Sequence, residues 1–197
     1  PLFHVGGSLS QALAALSGGN CLVVLSAAGW RNPAALKNLW PLVDRYKPEL
    51  LSSVPTILGA ALTAPLGNAD LSSLKYCAGG GSAIPVAVAT ALQEKFHTPV
   101  IEVYGMTETA SVHTLSYPER PIRLGSVGHP VPYSRVRIVR IDAEGRYLGE
   151  CATNEIGVVS MAGPGVFSGY LNDVHNRGAF VEPGWVNSGD LGRLDEE

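Results

Sequence analysis

The chain has 197 residues, a formal net charge of −3, 46% hydrophobic residues and 16% charged residues. This composition is typical of a globular protein with a well-buried core and argues against disorder. The negative net charge argues against attraction to nucleic acid or to an anionic membrane surface, and no apolar run reaches the roughly 18 residues that a membrane span requires.

The three cysteines, Cys21, Cys77 and Cys151, are odd in number and show no C-x-x-C spacing. The sequence therefore indicates neither a zinc site nor a disulfide framework. Cys21 and Cys77 stand in apolar runs, which predicts that both are small core residues. Together these features predict a reducing, cytoplasmic compartment.

Helix and strand patterns alternate in the first half of the chain. The apolar spacing predicts helices over residues 7–17, 33–46, 56–64 and 85–96. Short apolar runs predict strands over residues 21–25, 50–54, 74–78 and 100–104. Alternation of this kind predicts an α/β lobe built on a parallel, doubly wound sheet.

The pattern changes after about residue 124, where glycine and proline become frequent. Short β-type runs follow at residues 135–141, at 156–161 and around Val186. Several short strands separated by turns predict a small antiparallel, barrel-like lobe. The expected boundary lies near residues 122 to 125, which divides the chain into lobes 1–124 and 125–197.

A hydroxyl and a carboxylate stand side by side in Tyr104-Gly105-Met106-Thr107-Glu108, just after the predicted strand 100–104. In open α/β sheets ligands bind at the carboxyl ends of the strands. A carboxylate there can hold Mg²⁺ while a hydroxyl donates to a phosphate oxygen. The alternatives are that Tyr104 is a core aromatic and that Thr107 and Glu108 cap the helix or loop that follows.

Three glycines, Gly79, Gly80 and Gly81, follow another predicted strand and precede Ser82 and a helix that begins near Pro85. Backbone N–H groups in such a turn can approach a flat ring or a phosphate closely, because the Cβ atoms are missing. A tight strand-to-helix turn without a ligand explains the pattern equally well. The dinucleotide fingerprint G-x-G-x-x-G is absent after this strand.

Two further residues are candidates for binding. Asp190 follows a turn glycine, and its carboxylate offers two acceptors that ribose hydroxyls could use; an Asx-type turn between strands is the alternative. His4 stands near apolar residues, where a lone histidine is ordinarily a satisfied boundary residue.

Five segments in a fixed order carry a family resemblance. They are residues 1–4, 78–85, 104–108, 163–171 and 186–191. With these motifs the chain resembles the adenylate-forming superfamily, which comprises acyl-CoA synthetases, luciferases and peptide-synthetase adenylation domains. The resemblance extends over essentially all 197 residues.

The resemblance implies a role for each candidate. It implies that Gly79 to Ser82 line the adenine and acyl pockets, and that Tyr104 and Gly105 bind the nucleotide, the tyrosine by stacking on adenine. It further implies that Thr107 contacts the α-phosphate, that Glu108 takes Mg²⁺ and that Asp190 binds ribose. His4 would lie beside the substrate carboxylate, and the glycine-rich segment 163–171 would support the β-rich lobe.

The implied substrates are ATP, a small-molecule carboxylic acid and coenzyme A, with Mg²⁺. The family's phosphate loop and catalytic lysine match no residues here, so we expect this chain to be a central fragment that is inactive alone. We expect the protein to be cytoplasmic, and a homodimer is one of its possible assemblies. An acyl-CoA synthetase for a fatty or carbocyclic acid is the first hypothesis. A peptide-synthetase adenylation domain is disfavoured because residues 1–31 contain no acidic side chain, and a non-catalytic nucleotide-binding domain is the third hypothesis.

Overall fold

The computed structural model describes residues 2–196. The chain forms two compact units, and each is built from two stretches of sequence. The first unit comprises the residues up to Gly105 together with Thr114–His129. The second comprises Met106–His113 and the residues from Pro130 onward.

Within residues 2–196, the α-helices and the π-helical segment lie in the first unit. A π-helical segment, Gly6–Leu13, continues into α1, Ala14–Ser17. The remaining α-helices are α2, Pro33–Lys37; α3, Leu39–Tyr46; α4, Pro55–Thr63; and α5, Val86–Phe96.

One five-stranded sheet runs in the order β1-β2-β3-β4-β5. The strands are β1, Leu50–Ser53; β2, Tyr76–Gly80; β3, Val100–Tyr104; β4, Thr114–Leu115; and β5, His129–Pro130. β1, β2 and β3 pair in parallel, and α4 and α5 provide the crossovers between them. β4 pairs antiparallel with β3, which makes the sheet mixed.

The core of the first unit lies between these helices and the sheet. Trp40 is fully buried, its ring centroid lies 4.5 Å from that of Phe96, and its Nε1 donates to the carbonyl of Ala64 at 3.2 Å. Leu58, Leu92 and Val100 are almost completely buried in the same cluster. The indole therefore contributes a large apolar surface and still has a hydrogen-bond acceptor for its N–H.

The predicted helix 33–46 is divided in the structure. α2 ends at Lys37, and α3 begins at Leu39 after Asn38, whose φ of −105° and ψ of 17° depart from helical values. Pro41 explains the division, because its ring lacks an N–H and would clash with the carbonyl four residues earlier, that of Lys37.

The predicted strand over residues 21–25 is wrong. This segment has no regular structure, and Val23 and Val24 are 41% and 59% exposed. A β-strand requires a hydrogen-bonded neighbour, and among residues 2–196 none pairs with this run. Cys21 is exposed rather than a core residue, whereas Cys77 is fully buried as predicted.

The second unit contains a five-stranded sheet in which every strand pair is antiparallel, in the order β7-β6-β8-β10-β9. The strands are β6, Arg135–Ile141; β7, Tyr147–Glu150; β8, Gly157–Ala162; β9, Phe180–Glu182; and β10, Trp185–Gly192. Met161, Val139 and Val186 are its largest fully buried apolar side chains.

The predicted fold class is confirmed: a mixed α/β sheet, with β1, β2 and β3 parallel, is combined with an antiparallel, curled sheet. The strands predicted at residues 135–141 and 156–161 are present as β6 and β8. β7 and β9 were not predicted, since β7 contains Gly149 and β9 is only three residues long. Within residues 2–196, no helix combines the length and the apolar character needed to cross a bilayer.

Candidate functional site

In the first unit, the two predicted nucleotide-binding segments begin at the same edge of the sheet. Gly79 pairs with Glu102 and Gly80 pairs with Val103 in the parallel register of β2 and β3. The chain leaves β2 into Gly81 and leaves β3 after Tyr104. The carboxyl ends of two neighbouring parallel strands, where α/β proteins bind ligands, therefore carry both motifs.

Gly79 and Gly80 are required by packing within the protein. A Cβ on Gly79 would lie 2.5 Å from Ile84 Cδ1. A Cβ on Gly80 would lie 2.4 Å from Val103 Cγ2 and 2.7 Å from the Val103 carbonyl oxygen. The missing side chains at these two positions are thus explained by the protein's own interior.

Gly81 differs from its two neighbours. Its φ is +84°, and the nearest atom to an added Cβ, Val54 Cγ1, is 3.8 Å away. Glycine is needed here for the backbone turn, while the space beside it stays open. Gly81 and Ser82 are both exposed, so their backbone groups are accessible.

Tyr104 is the last residue of β3 and is half-buried. It pairs with Thr114 of β4, and Gly105 follows it, also half-buried. A residue at a strand end with part of its surface accessible can offer a ring face to a planar ligand.

In the second unit, Thr107–Thr109 form a 3₁₀ turn. Thr109 is buried, and its Oγ1 accepts from Met106 N at 3.1 Å. Thr109 therefore fulfils the capping role that the sequence suggested as an alternative for Thr107. Thr107 itself is exposed, which leaves its hydroxyl accessible to a ligand.

Glu108 is held by residues more than fifty positions later in the chain. Its Oε1 accepts from Tyr170 Oη at 2.6 Å, and its backbone carbonyl accepts from Phe167 N at 2.8 Å. The bond to the Glu108 carboxylate raises the pKa of the Tyr170 hydroxyl above its usual value, because the phenolate would face a negative charge.

The sequence did not identify Tyr170 and Phe167 as neighbours of Glu108. The segment 163–171 was assigned only a supporting role. Its pair of aromatic side chains among glycines is the signal that could have indicated a contact with the Glu108 turn. Gly165 allows the close approach, because a Cβ there would lie 2.9 Å from the Thr109 carbonyl oxygen.

Asp190 projects from a bulge in β10. Asn187 pairs with Ser160 and Leu191 pairs with Val158, so Ser188, Gly189 and Asp190 face a single residue of β8. A bulge of this kind turns side chains away from the regular alternation. Asp190 is exposed as a result.

Ser188 fixes the shape of this bulge. Its Oγ donates to the carbonyl of Val159 at 2.7 Å and accepts from Asp190 N at 3.0 Å. Gly189 has a φ of +74° with nothing within 4 Å of an added Cβ. The turn therefore depends on glycine for its backbone conformation and on the serine hydroxyl for its anchor to β8.

His4 is exposed and lies at the start of the π-helical segment. Its Nδ1 accepts from Gly6 N at 3.1 Å, and its carbonyl accepts from Gly7 N and Ser8 N. The residue thus caps the first turn of this helix. Pro1, the first residue of the same motif, lies outside the described residues.

No group of three or more histidine, cysteine or acidic side chains within residues 2–196 could hold a metal ion alone. A single carboxylate such as Glu108 still fits Mg²⁺, which binds proteins through one or two carboxylates and takes its other ligands from substrate phosphates and water. Glu108 is partly accessible and carries the required oxygen donors.

The sequence pattern that defines AMP-binding enzymes matches residues 1–171. The chain belongs to the AMP-binding enzyme family. The marinolic acid–CoA ligase of Pseudoalteromonas sp. (strain SANK 73390) is 36% identical over 197 residues, which is 100% of this chain and 30% of that protein. A long-chain-fatty-acid–CoA ligase of Bacillus subtilis is 33% identical over 79% of this chain and 27% of its own length.

Solved structures of the family share the fold. The anthranilate CoA ligase AuaEII, in complex with anthranoyl-AMP, matches with a TM-score of 0.82 and 26% identity over 99% of this chain and 36% of that one. The O-succinylbenzoate coenzyme A synthetase of Bacillus subtilis, in complex with ATP and magnesium ion, matches with a TM-score of 0.78 and 28% identity over 100% and 38%. The chain therefore spans about a third of the length of these relatives.

Proposed function

We propose that this chain is the central part of an ATP-dependent acyl-CoA synthetase. In the proposed reaction a substrate carboxylate attacks the α-phosphate of ATP, which gives an acyl-adenylate and pyrophosphate. The thiol of coenzyme A then attacks the acyl carbon and displaces AMP. Membership in the AMP-binding family and the CoA-ligase names of the relatives support this reaction type.

One observation carries the proposal within the first unit. The glycine turn after β2 and the Tyr104-Gly105 pair after β3 begin on adjacent parallel strands in register. In the proposed enzyme, adenine stacks on Tyr104 and lies along the backbone of Gly81 and Ser82. Gly79 and Gly80 contribute indirectly, because they let β2 pack closely enough to set the position of this turn.

Residues of the second unit supply the polar groups that we assign to the phosphate and the ribose. Thr107 donates its hydroxyl to the α-phosphate, and the Asp190 carboxylate accepts from the ribose hydroxyls. Glu108 holds Mg²⁺, which when bound to ATP neutralises the charge that develops on the phosphates. His4 lies beside the substrate carboxylate, and its Nδ1 bond to Gly6 N leaves Nε2 as the ring nitrogen that carries the proton in the neutral form.

The acid is proposed to be apolar, either fatty or carbocyclic. Leu9, Leu13 and Leu16 of the helical region are 36%, 57% and 66% exposed and offer apolar surface outside the core. Leu51 and Leu58, in contrast, are buried in the core, so this second apolar stretch is used for packing and not for an acyl pocket. The names of the relatives include marinolic acid and long-chain fatty acids as substrates.

The experiment measures pyrophosphate release and acyl-CoA formation by the full-length protein with a long-chain fatty acid, an aromatic acid and an amino acid. We expect acid-dependent pyrophosphate release with an apolar acid, followed by acyl-CoA when coenzyme A is added. Adenylation of the amino acid without transfer to coenzyme A would favour a peptide-synthetase activity. Nucleotide binding with no acid-dependent turnover would favour the non-catalytic alternative.

The 197-residue chain alone is expected to be inactive, because the resemblance assigns the phosphate loop and the catalytic lysine to segments outside it. ATP–pyrophosphate exchange with residues 1–197 should equal the background of a heat-denatured sample. Robust exchange by this polypeptide would contradict the expectation and would require another source of phosphate binding.

A further inference from the structure

In the second unit a hydrogen bond joins the Glu108 carboxylate to the Tyr170 hydroxyl. The two residues are 62 positions apart, and their side chains meet at 2.6 Å. The same segment also binds the backbone of Glu108, through Phe167 N. Both the main chain and the side chain of Glu108 are therefore held by one short stretch of sequence.

Tyr170 is itself fixed before it meets Glu108. Its backbone N donates to Asn176 Oδ1 at 2.7 Å, and its carbonyl accepts from Asn176 Nδ2 at 3.1 Å. Its ring packs edge-on against Phe167, with the centroids 4.8 Å apart. Gly169, at a φ of +132°, makes room for Asn176, whose Oδ1 would lie 3.0 Å from an added Cβ.

This hydrogen bond differs from one between two freely rotating surface side chains, because its donor is restrained. Tyrosine has only two side-chain torsions, and here its backbone and its ring are both restrained. A glutamate, by contrast, loses considerable side-chain entropy when it is fixed in one orientation. A restrained partner reduces the entropy that Glu108 must lose when it binds a ligand, which is how preorganisation strengthens binding.

We infer that Tyr170 is a positioning residue that orients the Glu108 carboxylate for the magnesium ion of the bound nucleotide. The inference rests on the proposed function, in which Glu108 holds that ion. The hydroxyl donates to Oε1 and thereby restricts the rotation of the carboxylate, which leaves Oε2 for the ion. Asn176 and Phe167 act one step further away, by holding Tyr170.

The test uses the full-length protein and the variant Tyr170→Phe, which removes the hydroxyl and keeps the ring contacts. Tyr147→Phe is the control, because it removes the hydroxyl of another tyrosine of the same unit, whose half-buried ring lies beside Arg137 and not beside Glu108. Glu108→Gln is the reference for loss of the carboxylate charge. The probe is Mn²⁺ in the presence of a non-hydrolysable ATP analogue, with free ion measured by electron paramagnetic resonance.

We expect Tyr170→Phe to raise the dissociation constant of Mn²⁺ about threefold to tenfold, because the lost bond is charge-assisted but partly exposed. The Mg²⁺ concentration for half-maximal adenylation should rise by the same factor, with kcat at saturating Mg²⁺ little changed. Glu108→Gln should weaken Mn²⁺ binding further, and Tyr147→Phe should leave it unchanged.

Equal Mn²⁺ affinity in Tyr170→Phe and Tyr147→Phe would overturn the inference, as would unchanged affinity in Glu108→Gln. Failure of the proposed function has a separate signature. If the wild-type protein binds the ion with the nucleotide but forms no acyl-adenylate with any acid, the proposed reaction is wrong, and the role of Tyr170 is still decided by the Mn²⁺ measurements.

Discussion

Gly80→Ala tests whether the glycine after β2 is required by the packing of the sheet. An added Cβ would lie 2.4 Å from Val103 Cγ2 and 2.7 Å from the Val103 carbonyl oxygen, whereas carbon atoms in favourable contact are about 3.5–4.0 Å apart. The Val103 methyl group could rotate away, but the Val103 carbonyl belongs to β3, the strand paired with β2. The new atom must therefore move one strand relative to the other.

The expected cost follows from this overlap. Overpacking of a filled site costs about 1–3 kcal/mol. Alanine also restricts the unfolded chain, which offsets about 0.4–1 kcal/mol where the backbone conformation is compatible, and Gly80 has no positive φ. The net expectation is a fall of roughly 1–2 kcal/mol in the free energy of unfolding.

Gly59→Ala is the matched control in the same unit. Gly59 lies inside α4, and an added Cβ would meet only Val88 Cγ1 at 4.0 Å. Alanine there should stabilise by about 0.5–1 kcal/mol through helix propensity. Urea unfolding followed by tryptophan fluorescence would measure both variants. If Gly80→Ala is as stable as the wild type, the packing argument fails, and the glycine would instead serve close approach of a ligand.

Three further expectations concern the other features of the structure. With Asp190 on the ribose, as proposed, Ser188→Ala should weaken ATP binding of the full-length protein by up to about tenfold, because Asp190 is misplaced. Ser188→Thr should not weaken it, and the penalty of Ser188→Ala should vanish with 2′,3′-dideoxy-ATP. An equal penalty with that analogue would show that the turn has only a structural role. A thiol reagent at pH 8 should modify the exposed Cys21 quickly and Cys77 only on unfolding, because burial raises the pKa of the Cys77 thiol to about 11. Rapid modification of both thiols would show that Cys77 is not buried. Burial also lowers the pKa of His113, so the unfolded state binds more protons and the free energy of unfolding should fall as pH drops below about 6.5. His113→Gln should make the free energy of unfolding depend less steeply on pH in this range. An unchanged pH dependence would show that other groups cause it.

Local sequence patterns predicted the elements whose formation depends on local residues. β3 was predicted with its observed bounds because its apolar run is short and carries β-branched residues. The run that begins at Cys21 has the same character and forms no strand, since pairing depends on a neighbour that the pattern itself does not specify. Likewise, Pro41 divided a helix whose apolar spacing is continuous.

Long-range contacts account for the rest of the difference. The sequence drew attention to Glu108, yet its partner Tyr170 lies 62 residues away and no local pattern links them. The capping role of Thr109 in place of Thr107 depends on which of two neighbouring hydroxyls turns inward. The bulge that exposes Asp190 follows from the unequal register of β8 and β10, which appears only when the strands are paired.

The interleaving of the two units limits how the chain can be divided or recombined. Met106–His113 belong to the second unit, although the residues on either side, up to Gly105 and from Thr114, belong to the first. No single cut therefore yields two complete halves. During synthesis on the ribosome, the turn that bears Glu108 emerges before Tyr170, so its final orientation must await the synthesis of the residues up to Tyr170. A chimera that exchanges one unit between two relatives would need three junctions, at residues 105/106, 113/114 and 129/130.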